Sequence, residues 1–111
     1  MSNDKTYNGW TNYETWCVNL WITNDEGSSS YWADAAQECW DDAEPTKILT
    51  RNEAARYALA DRLKDELSDT PEEMGEANMH VDLLRAALSE VNWSEIAEAF
   101  LSAVDKTGDE E

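Results

Sequence analysis

The residues best suited to chemistry in this sequence are carboxylates that occur in short runs. Asp41, Asp42 and Glu44 form one run, and Glu72 and Glu73 form another. A carboxylate pair performs general acid–base catalysis only when one member is shielded from water, so that its pKa rises. Both runs lie in polar stretches typical of turns. We therefore expect solvated surface carboxylates rather than a catalytic pair.

Residues that bind metals or act as nucleophiles are too few to form a familiar kind of site. His80 is the single histidine, and Cys17 and Cys39 are the two cysteines. Structural zinc needs four ligands, and no Ser, Cys or carboxylate is placed by a motif to form a triad with His80. The sequence therefore predicts no catalytic residue, no metal ligand and no cofactor-binding residue, and we do not expect an enzyme.

The first element that the sequence predicts is a helix over about residues 12–23. Aromatic and apolar residues recur there at the spacing of one helical face: Tyr13, Trp16, Cys17, Leu20 and Trp21. Thr11 and Glu14 predict a capping box at its start, and Gly27 predicts a left-handed stop at its end. Because apolar residues also alternate along 15–23, a β-strand is the alternative here.

A second helix is predicted over about residues 31–43, with a serine from the run 28–30 as its N-cap. The short connection between the two helices predicts an antiparallel hairpin. Cys17 and Cys39 lie at similar distances from Gly27 along the chain. We therefore expect the two thiols to be reduced, buried and close together.

Further helices are predicted at about residues 51–67, 79–91 and 93–104, with a short helix or loop at 71–77. Their start signals are Thr50 with Glu53, Thr70 and Pro71 with Glu73, and Asn92 with Glu95. Gly and Pro are scarce, which favours helices. We predict an all-α single small domain of four to five helices with an N-terminal αα-hairpin. It spans 10–104, between a disordered N-terminus at 1–9 and an acidic tail at 105–111.

Net charge is the most unusual property of the chain. It carries 25 Asp and Glu against eight Lys and Arg, for a formal charge of −17 at pH 7. Nucleic acids and anionic membranes both attract Lys and Arg, so we expect neither as a direct partner. Most of the basic residues lie within 47–64. This predicts a basic helix that pairs with acidic neighbours, and a basic docking patch is the alternative.

The N-terminal sequence and the hydropathy pattern bear on localisation. Residues 1–9 are polar, and no apolar run approaches the length of a membrane span. We therefore expect neither a signal peptide nor a transmembrane helix, and we expect a cytoplasmic protein.

Two stretches of the sequence resemble a small family of uncharacterised proteins from bacteria and their phages. One is the opening NGWTNYETW, followed by VNLWITNDEG, and the other is ALSEVNWSEIAE at residues 87–98. The resemblance covers both ends of the chain and does not extend to the middle, at about 43–79. It implies a compact domain and suggests a mobile-element context. Because the family has no assigned activity, the resemblance assigns no functional residue.

The remaining signal for function is a surplus of aromatic residues near the first helix. Trp10, Tyr13 and Trp21 either pack in the core or form an exposed patch that anchors a protein partner, since aromatic residues are favoured at interface hot spots. Together with the acidic run at 41–44, they are the candidate partner-binding residues. We expect a small acidic protein-binding module that binds a basic or DNA-binding protein, for example as an inhibitor made by a mobile element. A DNA mimic is one alternative, and a domain whose acidity is only salt adaptation is another.

Overall fold

The computed structural model describes residues 6–68 and 79–106. These residues form five helices: α1 Tyr13–Asn24, α2 Glu26–Asp42, α3 Arg51–Ser68, α4 Met79–Ser89 and α5 Trp93–Leu101. The prediction of a small all-α domain is confirmed, and the strand alternative over 15–23 is wrong. The predicted helix or loop at 71–77 and its cap lie outside the described residues. No helix in the described part of the chain is long and apolar enough to cross a membrane.

The core lies between α3 and α5, which make the closest packing in the molecule, and α2 packs against both. The inward stripe predicted for α3 is confirmed, because Ala55, Leu59 and Leu63 are fully buried. On α5, Ile96 and Leu101 are fully buried as predicted. Further side chains complete the core: Ile22, Trp32, Ala35, Ala36, Trp40, Ala60, Val91, Trp93 and Ala97. Half of the six tryptophans are therefore core residues.

The face of α1 that meets the core differs from the predicted one. Thr15 and Ile22 are its buried residues, and Val18 packs partly against the core. The predicted stripe from Tyr13 to Trp21 lies on the remaining surface of the helix, where Trp21 is 72% exposed. Apolar residues occur around most of the circumference of α1, so helical spacing alone did not identify the inward face.

The start of α1 also corrects the predicted capping box. Asn12, and not Thr11, is the N-cap, and its side chain accepts a hydrogen bond of 2.9 Å from the Thr15 amide. The Thr11 amide donates instead to Glu95 Oε1, at 2.9 Å. For α5, Asn92 is confirmed as the N-cap, since its Oδ1 accepts from the Glu95 amide at 3.1 Å. The Asn92 amide donates to the Thr15 hydroxyl and not to Glu95. At α3 the predicted box is complete, with Thr50 and Glu53 hydrogen-bonded in both directions.

Hydrogen bonds join the first turn of α1 to the first turn of α5. The Thr15 hydroxyl donates to Asn12 Oδ1 at 2.6 Å and accepts from the Asn92 amide at 2.9 Å. Asn12 Nδ2 donates to the Glu90 carbonyl at 2.7 Å, and Asn92 Nδ2 donates to the Thr11 hydroxyl at 3.2 Å. The two stretches that carry the family resemblance therefore contact each other directly. This network fixes the position of α1 against α5.

The connection between α1 and α2 is shorter than predicted. Gly27 is a residue of α2 and not a left-handed stop, because Asp25 caps α2 by accepting a hydrogen bond of 2.8 Å from the Ser28 amide. Positive φ values within the described residues occur only at Asn8 and Gly9, in the turn between Tyr7 and Trp10. Asp25, the residue directly after α1, is thus the N-cap of α2, and the serines predicted as caps lie inside the helix.

The two cysteines are free, as predicted, but each is half-buried rather than fully buried. Cys17 faces α4, whereas Cys39 lies between α2 and α3 beside Arg62. The predicted shared environment is therefore wrong, because the face of α1 that carries Cys17 turns away from the core.

Residues at both ends of the described chain contact the helical body. Tyr7 forms two backbone hydrogen bonds of 2.8 Å with Trp10. Gln37 of α2 forms two hydrogen bonds with the backbone of Asp105, at 3.0 Å and 2.9 Å. Contacts with the helical body therefore extend to Asp105, the first residue of the predicted tail.

Candidate interaction surface

Aromatic side chains cover the outward side of α1 and the turn before it. Tyr7, Tyr13 and Trp16 form a cluster with ring centroids 4.8–5.5 Å apart. Tyr13 is 51% exposed, Trp16 is half-buried, and Trp21 is exposed further along the helix. We call Tyr13, Trp16 and Trp21 the aromatic face. Its exposure supports the patch interpretation for Tyr13 and Trp21 over core packing.

Sequence reasoning missed Tyr7, which was assigned to a disordered terminus. Its edge-to-face contact with Tyr13 has a 90° interplanar angle and is a favourable ring geometry. The signal available in the sequence was the Asn8-Gly9 pair, which is typical of a tight turn that returns the chain on itself. That turn brings Tyr7 back beside Trp10, from where its ring reaches α1.

An apolar groove of about 180 Å³ separates α1 from α4. Tyr13, Cys17 and Val18 form one wall, and α4 with the residue that follows its last turn forms the other. The α4 side consists of Leu84, Ala87, Leu88 and Val91. Electrostatic interaction with the Cys17 side chain, followed by a hydrogen bond to it, raises the pKa of the Tyr13 phenol above its usual value of 10.0. We call this feature the α1–α4 groove.

Trp10 lies away from this groove, in a shallow cleft of about 630 Å³ beside α3 and α5. Arg56, Tyr57 and Glu98 also line the cleft. The Arg56 guanidinium lies 5.5 Å from the centroid of the Tyr57 ring and 3.7 Å from the Glu98 carboxylate. The charges of Arg56 and Glu98 in the cleft therefore pair with each other. Trp10 therefore does not share a cavity with Tyr13 or Trp21, although the sequence grouped the three together.

The acidic run Asp41, Asp42 and Glu44 is exposed at the C-terminal end of α2. Negative charge is disfavoured at a helix C-terminus, where the carbonyl ends of the peptide dipoles point outward. Arg51 offsets part of this cost, because its guanidinium donates two hydrogen bonds, of 3.0 Å and 2.8 Å, to the Trp40 carbonyl. The structure thus places the run on the surface, on a different element from the aromatic face.

Two basic residues of α3, Arg56 and Arg62, pair with acidic neighbours, as predicted. Arg62 contacts Glu38 of α2 at 3.0 Å and Glu66 of its own helix at 3.4 Å. Hydrogen bonds to the Tyr31 hydroxyl, and then to Glu38, raise the pKa of Arg62 above its usual range. Because this guanidinium is engaged from both α2 and α3, the alternative of a basic docking patch is not supported at Arg62.

No arrangement suited to catalysis stands out in the described part of the chain. His80 is exposed at the start of α4. Within residues 6–68 and 79–106, no group of three His, Cys, Asp or Glu residues is placed to hold a metal ion. The Cys39 thiol has a pKa raised by burial, an effect that Arg62 opposes. A raised pKa reduces the thiolate fraction and so does not favour a nucleophile.

Comparison with known proteins places the chain in a family but identifies no function. No curated protein and no solved structure matches it. The model of a family of unknown function, DUF7249, matches residues 3–102. This match covers most of the chain and includes both stretches of the resemblance seen in the sequence.

Proposed function

The chain belongs to DUF7249, a family of unknown function, and we propose that this member acts by binding a basic partner protein. The aromatic face of α1 supplies the contact, and the acidic surface, including Asp41, Asp42 and Glu44, steers the partner towards it. In this proposal the protein catalyses no reaction.

The observation that carries the proposal is the exposure of Trp21. This side chain is 72% exposed on a helix whose opposite side, at Thr15 and Ile22, is buried in the core. An exposed tryptophan contributes little to stability, whereas Trp and Tyr are enriched among the residues that dominate binding energy at protein interfaces. Tyr13 extends the same face by two helical turns, and it is held by rings at Tyr7 and Trp16. Ring contacts therefore hold Tyr13 in position without a partner.

The charge of the molecule supports a basic partner. In the described part of the chain no Asp or Glu side chain is buried, so the negative charge is displayed on the surface. Complementary charge raises association rates and rejects acidic competitors, while packing at anchor residues determines how long a complex lasts. We therefore assign steering to the carboxylates and retention to the aromatic face.

The test is capture of host proteins on immobilised protein, followed by titration of the purified partner against defined variants. Trp21→Ala is expected to weaken binding by about 30-fold or more, the effect of removing a hot spot. Thr23→Ala, at an exposed position of the same helix, is the matched control and is expected to change affinity by less than about twofold. A partner that binds Trp21→Ala as tightly as the natural protein would contradict the aromatic anchor.

The salt dependence of binding distinguishes steering by the carboxylates from retention by the aromatic face. Neutralising the acidic run with Asp41→Asn, Asp42→Asn and Glu44→Gln should slow association, and added salt should do the same by screening exposed charge. Dissociation should change little in both cases. A partner whose association rate is independent of salt would exclude steering by the acidic surface. If duplex DNA competes with this protein for the partner, the DNA-mimic alternative is the better description.

A further inference from the structure

The α1–α4 groove has the composition of a binding groove and not of a packing defect. Only apolar atoms face its volume of about 180 Å³. An apolar cavity of about 150 Å³ already binds benzene in an engineered protein, so this groove accommodates a side chain of that size. Leu84, Ala87 and Leu88 on its α4 wall are only half-buried. These three residues of α4 are therefore incompletely covered by the part of the chain that the structure describes.

Exposed apolar residues continue the groove along both helices. On α1, Tyr13 and Cys17 in the wall are followed by Trp21 at four-residue spacing. On α4, Met79 and Leu83 are 66% and 61% exposed, and they precede Ala87 of the wall at the same spacing. Residues four apart lie on one side of a helix, so two apolar rows flank the groove. Two parallel rows with a trough between them fit the apolar face of a third helix.

The charges around the groove indicate the character of that helix. Glu14 contributes to the α1 wall, and no Lys or Arg lines the groove. Arg85 of α4 and Lys64 line an adjoining cavity, which shares Leu88 and Val91 with the groove. The lining of the groove therefore carries one acidic residue and no basic residue, on a protein with a net charge of −17. A second copy of this chain would bring another charge of −17 and would be repelled.

We propose that the α1–α4 groove binds the apolar face of a basic amphipathic helix supplied by the partner. This inference rests on the proposed function and adds the structural class of the partner's binding element. Leucine-sized or aromatic side chains at helical spacing would occupy the groove between Cys17 and Ala87. Lys or Arg on the flanks of the helix would lie against Glu14 and the acidic surface of the domain.

The two free cysteines provide a test in the natural protein. The probe is a synthetic peptide with Leu at helical face spacing and Lys elsewhere. Bound peptide is expected to slow the labelling of Cys17, in the groove, by about tenfold or more. Labelling of Cys39, which lines a cavity between α2 and α3, should change by less than about twofold. Equal protection of the two thiols, or no protection of Cys17, would overturn the proposal.

Two control peptides and one pair of variants sharpen the result. A peptide with the same Leu positions and Glu in place of Lys should not protect Cys17, and neither should a scrambled Leu–Lys peptide. Ala87→Phe fills the groove and should weaken peptide binding by about tenfold. Ala86→Phe makes the same change at the neighbouring exposed position and should leave binding within about twofold. Equal effects of the two variants would place the peptide outside the groove.

The failure of this inference is distinguishable from failure of the proposed function. A captured basic partner that depends on Trp21 but leaves Cys17 unprotected would overturn the groove assignment and leave the proposed function intact. Protection of Cys17 by the peptide, with no dependence of the captured partner on Trp21, would keep the groove as a helix-binding site and overturn the aromatic anchor.

Discussion

Replacing Thr15 by Val removes one hydroxyl from the network that joins α1 to α5. The residue is fully buried, and valine has nearly the same shape. The hydroxyl donates to Asn12 Oδ1 at 2.6 Å and accepts from the Asn92 amide at 2.9 Å. Two hydrogen bonds are therefore lost without a large change in packing volume.

The expected cost follows from these two contacts. Each hydrogen bond contributes about 1 kcal/mol net, and a partly buried amide that loses its acceptor, as at Asn92, costs up to about a further 2 kcal/mol. Thr15→Val should therefore lower the free energy of unfolding by about 2–4 kcal/mol, even though valine is the more hydrophobic residue. The loss is a large part of the stability of a domain of this size, which is about 5–15 kcal/mol.

Urea unfolding followed by circular dichroism measures this loss, provided that the slope with denaturant stays the same. Thr23→Val is the matched control, because Thr23 is exposed on the same helix and its hydroxyl contacts only helix carbonyls, at Asn19 and Leu20. The control should change stability by less than about 0.5 kcal/mol. Equal losses for the two variants, or a loss below about 1 kcal/mol for Thr15→Val, would refute the importance of the network.

Three further predictions concern stability. Trp32→Ala should cost about 3–5 kcal/mol in urea unfolding, because Trp32 is 3% exposed, whereas Trp21→Ala should cost less than about 0.5 kcal/mol; similar losses would contradict the burial assignments. Thr50→Ala removes the hydroxyl that accepts from the Glu53 amide in the capping box of α3 and should lower the free energy of unfolding by about 1 kcal/mol. No loss would show that this hydroxyl does not stabilise α3. Burial raises the pKa of Cys39 above its usual 9.0, so the folded state holds the proton longer than the unfolded chain. The free energy of unfolding should therefore be unaffected by this group below pH 9.0 and fall as pH rises further. Cys39→Ala should make that fall shallower. An unchanged pH profile would contradict a raised pKa at Cys39.

If the proposed function is correct, α1 has two separate roles on its two sides. Its buried side, at Thr15 and Ile22, attaches it to the domain, and its outward side presents Tyr13 and Trp21. Thr15→Val should then weaken folding, while Trp21→Ala should weaken binding in a protein of nearly normal stability. Variants at these two positions allow the two roles to be measured independently.

Some elements of this fold could be predicted because their signals are local. For α3, the capping box at Thr50 and Glu53 marks the start, and one clear apolar stripe at Ala55, Leu59 and Leu63 marks the inward face. For α5, Asn92 marks the start in the same way. Each signal involves residues three or four apart, whose geometry is set by the helix itself. The all-α class and the acidic character of the surface follow equally from composition.

The candidate site could be predicted only in part. Tyr13 and Trp21 are exposed, which agrees with the interpretation of an aromatic patch and not with core packing. The acidic run is on the surface. Trp10 lines another cleft, because the turn at Asn8 and Gly9 redirects the chain before α1 begins. The α1–α4 groove was not predicted, because it depends on how completely α4 is covered, and helical spacing within α4 contains no information about that cover.

The helices, most of their boundaries and the charge that they display follow from the amino-acid sequence. Which side of α1 is buried depends on contacts that form between distant parts of the chain. Both sides of this helix carry apolar residues, so burial energy alone does not strongly favour one of them. The Thr15 hydroxyl accepts a hydrogen bond from the Asn92 amide, 77 positions away in the chain, only when its side of the helix faces α5. A hydrogen bond between residues so far apart forms only in the folded protein, and it leaves the aromatic face of α1 exposed.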